Sequence, residues 1–305
     1  MVEADSLVKR FGEVIAVDNL SFHIEKNEVL GFLGPNGAGK TTTMRMLTGY
    51  FTPTSGEVHV NGVDMVENPR EAKRFIGYLP EHPPLYPDMT VKEYLRFVAE
   101  LHGVKKIRER LDYVQKVCSL SPVWNRLISQ ISKGFCQRVG LAKAIVHNPS
   151  VIVLDEPTIG LDPEQIIETR NLIKSLGEEH SVILSTHILS EANMTCDRVM
   201  IINRGKLVGE GTPERLSEEL QSKRNIALIV GREIDKSLFS GIPVEIQKQE
   251  KLDDKFRLEL SFPAEDDLCP ELARRITEAG ISLYQMQEKK PTLEEIFLSL
   301  VKEVL

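Results

Sequence analysis

The sequence predicts an α/β fold built on a parallel sheet, followed by a smaller α+β unit. Three observations predict it. Strand-like and helix-like segments alternate through the first two thirds of the chain. Val151-Ile152-Val153-Leu154 is continuously apolar, as a strand covered on both faces must be. Gly34-Pro35-Asn36-Gly37-Ala38-Gly39-Lys40-Thr41 joins an apolar run to a helical one, an arrangement in which successive backbone N–H groups line an anion site at a helix N-terminus.

Taken in order, residues 14–17 and 21–24 are short β-rich runs, and residues 29–33 form a buried strand feeding the glycine loop. A helix opens at Thr41, runs to Leu47 and ends near Gly49. Residues 55–62 read as a strand closed by the Asn61-Gly62 turn. Over residues 91–117 the apolar spacing is helical, with Tyr94, Phe97, Val98 and Leu101 along one face. Residues 137–146 are helical, and Asn148-Pro149 ends that element. Residues 164–176 form a helix and 182–185 a strand, and Glu191 begins another helix. Gly211-Thr212-Pro213 marks a domain boundary.

Beyond it, residues 226–230 and 244–247 read as strands, and 256–262 alternates as a half-exposed strand does. A helix at 271–279 and a strand at 281–286 follow. The closing helix starts at Thr292, with Glu295 completing a capping box. Its apolar stripe, Leu293, Ile296, Phe297, Leu300, Val301 and Val304, has to pack on its own small sheet, on the larger domain or on a second subunit.

Composition narrows the function. With 305 residues and 41% hydrophobic content, the chain can bury one large core and a smaller one. No stretch approaches the eighteen or so apolar residues of a membrane span, and Met1 leads directly into charged sequence, so no secretory segment is expected. Net charge is −7, and residues from Pro213 onward include 19 acidic and 14 basic side chains. That balance argues against a polybasic arm and against nucleic acid as a partner. Cys118, Cys136, Cys196 and Cys269 lack C-x-x-C spacing, which points to reduced thiols.

The chemistry is carried by four motifs in a fixed order. After the glycine loop comes Ser132-Lys133-Gly134-Phe135-Cys136-Gln137, then the apolar strand ending in Asp155-Glu156, then Ser185-Thr186-His187. Lys40 is expected to reach the β- and γ-phosphates of a nucleotide, Thr41 to ligate Mg²⁺, and Thr42 to add a phosphate contact. A carboxylate at the end of an apolar strand is costly unless a cation or hydrogen bonds compensate it, so Asp155 is expected at the metal. Glu156 is the candidate base that orients or deprotonates the attacking water. Ser132 is placed to cap the helix after it.

This order resembles the ATP-binding cassette of ABC transporters, whose "LSGGQ"-like signature precedes the acidic strand end. Here the signature reads Ile131-Ser132-Lys133-Gly134-Phe135, with Lys133 in place of a glycine and Phe135 in place of the glutamine. The Lys-Gly form is similar to a branch of exporters of drugs, antibiotics, sodium or surface polysaccharides, some associated with gliding motility. The resemblance is close over residues 7–212 and weaker through Pro291-Thr292-Leu293-Glu294-Glu295-Ile296-Phe297-Leu298.

It implies a P-loop NTPase cassette over residues 1–212, with a parallel-sheet core, an antiparallel β subdomain and a helical subdomain at about 82–147, followed by an accessory domain at 213–305. It implies ATP and Mg²⁺ bound between two cassettes packed head to tail, in a homodimer or a pseudo-symmetric heterodimer. Phe11 takes the place of the aromatic that stacks on adenine, with a plain core phenylalanine as the alternative. His187 resembles the family's switch histidine. Glu81 stands where most cassettes carry glutamine, and offers an oxygen to Mg²⁺ or to the lytic water. The loop with Pro83, Pro84 and Pro87 corresponds to the surface that meets a membrane subunit. Ser132, Lys133, Gly134 and, in the following interface loop, Asp162 would face the partner's nucleotide. Lys133 either adds positive charge there or is a solvated lysine.

The implied function is ATP hydrolysis that powers a separate integral membrane permease, with export as the expected direction and a cytoplasmic location on the inner face of the cell membrane. A soluble ABC-type ATPase acting on ribosomes or DNA is the competing class. Ribosomal members carry two cassettes, and DNA-acting members insert coiled coils or zinc modules, whereas about ninety residues without heptads or clustered cysteines separate the motifs here. A scaffold without turnover is disfavoured by the presence of both Glu156 and His187.

Overall fold

The computed structural model describes residues 1–213, 215–216, 223–263 and 267–289. The expected closing helix at Thr292 lies outside the described residues. The chain divides into two compact units, Met1–Pro213 and Glu214–Leu305.

The first unit is built on two sheets. One is antiparallel, in the order β2-β1-β4-β5, from β1 (Val2–Phe11), β2 (Val14–Ile24), β4 (Ser55–Val60) and β5 (Val63–Asp64). The second has six strands in the order β10-β9-β3-β8-β7-β6. These are β3 (Val29–Leu33), β6 (Ile76–Leu79), β7 (Val151–Asp155), β8 (Ser181–Thr186), β9 (Arg198–Asn203) and β10 (Lys206–Gly211). Strands β6, β7, β8, β3 and β9 pair in parallel, and β10 turns back antiparallel at the edge. β3, β7 and β8 are buried along their whole length, with apolar centres that suit strands covered on both faces. Phe22 of β2 meets Phe32 of β3 edge to face, with centroids 4.9 Å apart, and joins the two sheets in one core with Met44, Met46 and Leu47 of α1 (Lys40–Leu47).

Local chemistry accounts for most element ends. Asn61 and Gly62 both adopt positive φ, at 51° and 75°, as the tight β4–β5 hairpin demands. α3 (Val91–Leu101) begins with a capping box in which Thr90 Oγ1 accepts from Glu93 N at 3.2 Å, and Glu93 Oε2 accepts from Thr90 N at 2.9 Å. α5 (Lys133–Ile145) begins four residues before the expected start, because Ser132 Oγ accepts from Phe135 N and satisfies a first-turn donor. α6 (Pro163–Gly177) is capped by Asp162 and α7 (Leu189–Thr195) is short.

Three sequence expectations need correction. The β-rich runs at 14–17 and 21–24 are one strand, continuous through Asn19 at φ 53°. The helical run at 91–117 is two helices, α3 and α4 (Ile107–Val117), broken where Gly103 takes φ 68°. The buried face of α3 is Val91, Tyr94, Leu95, Val98 and Ala99, while Phe97 and Leu101 are 39% and 73% exposed. Two apolar stripes overlap on this helix, sharing Tyr94 and Val98, and burial selects the aliphatic one. α2 (Pro69–Ala72) and the β9–β10 hairpin, turning through Arg204 and Gly205 at positive φ, were not read from the sequence.

The second unit is an antiparallel sheet, β12-β13-β11-β14, from β11 (Lys223–Val230), β12 (Glu245–Leu252), β13 (Lys255–Pro263) and β14 (Leu283–Lys289). The helix α8 (Cys269–Glu278) adds Leu272 and Ile276 to its core, beside Ile226, Leu228, Leu258 and Leu260.

At the β6 edge, His102 and His147 stack with ring centroids 3.9 Å apart, and His147 Nε2–H donates to Ile76 O at 3.0 Å. Burial, with smaller contributions from His102 and Arg110, pushes His147 down to about 4. The folded state therefore binds this proton less readily than the unfolded chain. The contribution to stability is whole above about pH 6.5 and is lost as pH falls toward 4. Urea unfolding at pH 7 and pH 5 tests this: His147→Gln should remove about 2 kcal/mol of the wild-type loss between the two.

Candidate active site

The glycine loop leaves β3 between two fixed backbone oxygens. A β-carbon on Gly34 would collide with Ile202 O, and one on Gly39 with Ala16 O. Gly39 also sits at φ 105°, a conformation that L side chains rarely adopt. Gly37, at φ 80°, has open space on its α-carbon. The loop is held from behind, Ala38 N donates to Pro35 O at 3.2 Å, and α1 starts at Lys40 without a side-chain cap.

An open cleft of about 660 Å³ lies over this loop. It is lined by Pro35, Asn36, Gly37, Ala38, Gly39, Lys40, Thr41 and Thr42, with Phe11, Glu81, Glu156 and His187 around them. Ala16 and Ile159 line it as well, and sequence reasoning did not single them out. Phe11 is 45% exposed at the rim, edge-on to Phe51 at 5.4 Å, so it is no core residue. Gly34 sits beneath the loop, where its carbonyl accepts from Lys40 Nζ at 2.7 Å.

Lys40, Glu156 and His187 form one chain of contacts. Lys40 Nζ lies 3.4 Å from Glu156 Oε1, and His187 Nδ1 lies 2.8 Å from Glu156 Oε2. Glu156 takes φ 50°, and its N–H donates to Ser185 O at 3.0 Å, which turns the side chain off the end of β7. A non-glycine residue in this conformation stores strain, and such strain concentrates at functional sites. His187 is positioned from behind by a pair the sequence reading missed. Thr186 Oγ1 donates to the buried Glu191 Oε2 at 2.9 Å and accepts from Ile188 N at 3.0 Å. The sequence signal for it is an acidic residue in the first turn of α7, five positions after a threonine.

Asp155 lies just below the cleft and is almost wholly buried. Its Oδ1 accepts from Thr41 Oγ1 at 3.2 Å, and its Oδ2 is buried without a hydrogen-bond partner. Burial pushes its pKa up, the Ser185 and Thr41 hydroxyls oppose that, and the neighbouring Glu81 adds to it while Lys40 opposes it. An orphaned carboxylate oxygen beside a hydroxyl and a second carboxylate fits a hard divalent cation.

Ser132, Lys133, Gly134 and Asp162 do not line this cleft. They come together elsewhere, at the paired starts of α5 and α6. Asp162 Oδ1 accepts from Gln165 N at 2.9 Å, and a β-carbon on Gly134 would lie 2.8 Å from Gln165 Cδ.

Comparison with known proteins identifies this arrangement. The ABC transporter family model matches residues 17–159. YxlF of Bacillus subtilis, an uncharacterized ABC transporter ATP-binding protein, is 32% identical over 99% of both chains. The chain belongs to the ABC transporter ATP-binding family. The bacitracin transport ATP-binding protein BcrA of Bacillus licheniformis is 40% identical over 69% of each chain. A dimeric, post-hydrolysis structure of the ATP-binding cassette MJ0796 bound to ADP and Pi superposes with a TM-score of 0.64 at 26% identity, covering 70% of this chain and 98% of that one. The chain is thus the ATP-binding subunit of an ABC ATPase. The exporter-like resemblance of the signature agrees with a relative named for bacitracin transport. No helix among the described residues of this ABC subunit is long and apolar enough to cross a membrane.

Asp155 gives a test of this site that needs no turnover. Its folded pKa is raised, so the folded state holds the proton more tightly, and stability falls as pH rises through the carboxylate range. Asp155→Asn should therefore raise the melting temperature at pH 7 without nucleotide. Calorimetry with and without Mg²⁺ and ATP checks it: the variant should also lose the extra stabilisation that metal and nucleotide confer together.

Proposed function

We propose that this ATPase drives a separate integral membrane permease, from the cytoplasmic face of the cell membrane, in the direction of export. The observation that carries the catalytic part is Glu156, held at positive φ between Lys40 and His187 and facing the cleft. ATP enters with its phosphates over the loop N–H groups and its adenine against Phe11. The phosphates draw the Lys40 ammonium away from Gly34 O and Pro35 O. Thr42 adds a contact from the first turn of α1. Glu156 orients the attacking water and takes its proton, and His187 holds that carboxylate and meets the γ-phosphate. Thr41, Asp155 and Glu81 would hold Mg²⁺, which would supply positive charge against the nucleotide's phosphates.

The second nucleotide-facing surface is the start of α5. Its N-terminus carries partial positive charge and leaves donors at Ser132 and Gly134. Within one chain it stands apart from the cleft, which supports a head-to-tail pair of cassettes, identical or pseudo-symmetric, with Asp162 at the junction. Exposed Phe97, Leu101 and Tyr86, beside the loop carrying Pro83, Pro84 and Pro87, make an apolar patch suited to the permease. Residues 213–305 act as an accessory domain outside the ATP site. The Lys-Gly signature supports export.

Steady-state kinetics of Glu156→Gln test the catalytic assignment. The expected result is a drop in kcat of about 100-fold or more, with ATP affinity changed by less than about threefold. Turnover at the wild-type rate would overturn it.

A further inference from the structure

Phe11 is exposed at the rim of the cleft, and a ring in that position keeps its rotamer freedom unless a neighbour fixes it. Phe51 is that neighbour. The two rings meet edge to face, with centroids 5.4 Å apart and planes at 71°. Phe51 itself is partly buried and packs on the core shared by the two sheets of the first unit. The exposed ring therefore leans on an anchored one.

The backbone holds this contact in place. Phe51 N donates to Arg45 O at 3.0 Å, in the last turn of α1, the helix that begins at the glycine loop. Thr54 N donates to Val8 O at 2.8 Å, and Arg10 N donates to Thr54 Oγ1 at 3.0 Å. The segment after Phe51 is thus tied to the end of β1 that carries Phe11. Tyr50 meets Phe51 edge to face at 5.4 Å, and the Arg45 guanidinium lies 5.6 Å from the Phe51 centroid. Phe51 is held through its backbone, its core contacts and its ring neighbours, whereas Phe11 owes its orientation to Phe51.

We propose that Phe51 is a positioning residue for base recognition, a fixed aromatic wall that holds Phe11 in the orientation in which it stacks on adenine. Phe11 lines the cleft and Phe51 does not, so Phe51 acts through Phe11. This rests on the reading of Phe11 as the adenine contact. Holding the ring before nucleotide arrives removes part of the ordering cost of binding. The contribution belongs to affinity for the base and not to affinity for the phosphates.

Calorimetric titration of the full chain with ADP and with pyrophosphate, each with Mg²⁺, tests this, because pyrophosphate carries phosphate charge without a base. Phe51→Leu should weaken ADP binding about three- to tenfold and leave pyrophosphate within about twofold. Phe51→Tyr, which keeps the ring, should bind ADP near the wild-type affinity. In a Phe11→Leu background, Phe51→Leu should cost less than about twofold, since the contact it supports is already gone. Unchanged ADP affinity in Phe51→Leu would overturn the proposal. So would an equal loss with and without Phe11, or an equal loss for ADP and pyrophosphate. Failure of the Phe11 reading shows separately, as wild-type ADP affinity in Phe11→Leu; failure of the Phe51 proposal alone leaves Phe11→Leu weakened.

Discussion

Everything at the candidate site depends on the parallel register of three buried strands. Leu33 of β3 pairs with Thr186 of β8, and Asp155 of β7 pairs with Ser185. The three strands therefore end at one level, and the segments that follow them emerge at one rim. The glycine loop, Asp155-Glu156 and Thr186-His187 are distant in sequence and adjacent in space for this reason alone. Open α/β sheets place their ligands at the carboxyl ends of strands by the same geometry. The strand centres, Val151–Leu154 and Val182–Leu184, are apolar and buried, so the cost of burying Asp155 at the strand end is offset by a large buried surface around it.

Close packing then determines which residues the rim tolerates. Gly34 and Gly39 are pressed against Ile202 O and Ala16 O, so backbone from β9 and β2 shapes the loop from behind. Glu156 accepts a strained backbone, and hydrogen bonds through Ser185 O and His187 hold it there. An unpartnered oxygen on Asp155, a strained Glu156 and a lysine curled onto its own loop sit within one small region. A fold optimised for stability alone would not gather such features, whereas a site built for phosphate and metal uses each of them.

The three central strands of the parallel core, at 29–33, 151–154 and 182–185, were legible in the sequence because their signals are short-range, whereas β6 and β9 were not read. A continuous apolar run, a glycine loop and carboxylates at a strand end can each be read within about ten residues. The Asn61-Gly62 hairpin and the Ser132 cap are equally local. What escaped depends on long-range partners. The face of α3 that is buried was set by packing, not by the helix's own periodicity, which offered two stripes. The Thr186–Glu191 pair behind His187 is visible only once α7 folds against β8. The β9–β10 hairpin carries an Arg204-Gly205 turn without the asparagine that marks β4–β5.

The most direct measurement of the central claim, that one chain offers two half-sites that combine only between copies, is the ATPase rate of mixed variants. Lys40→Ala removes the loop half and Ser132→Ala the signature half, so each pure protein lacks both complete sites. A mixed pair retains one. With random pairing, equimolar mixing should restore roughly a quarter of the wild-type rate. A rate that stays at the background of the separate variants across all mixing ratios would contradict the composite site.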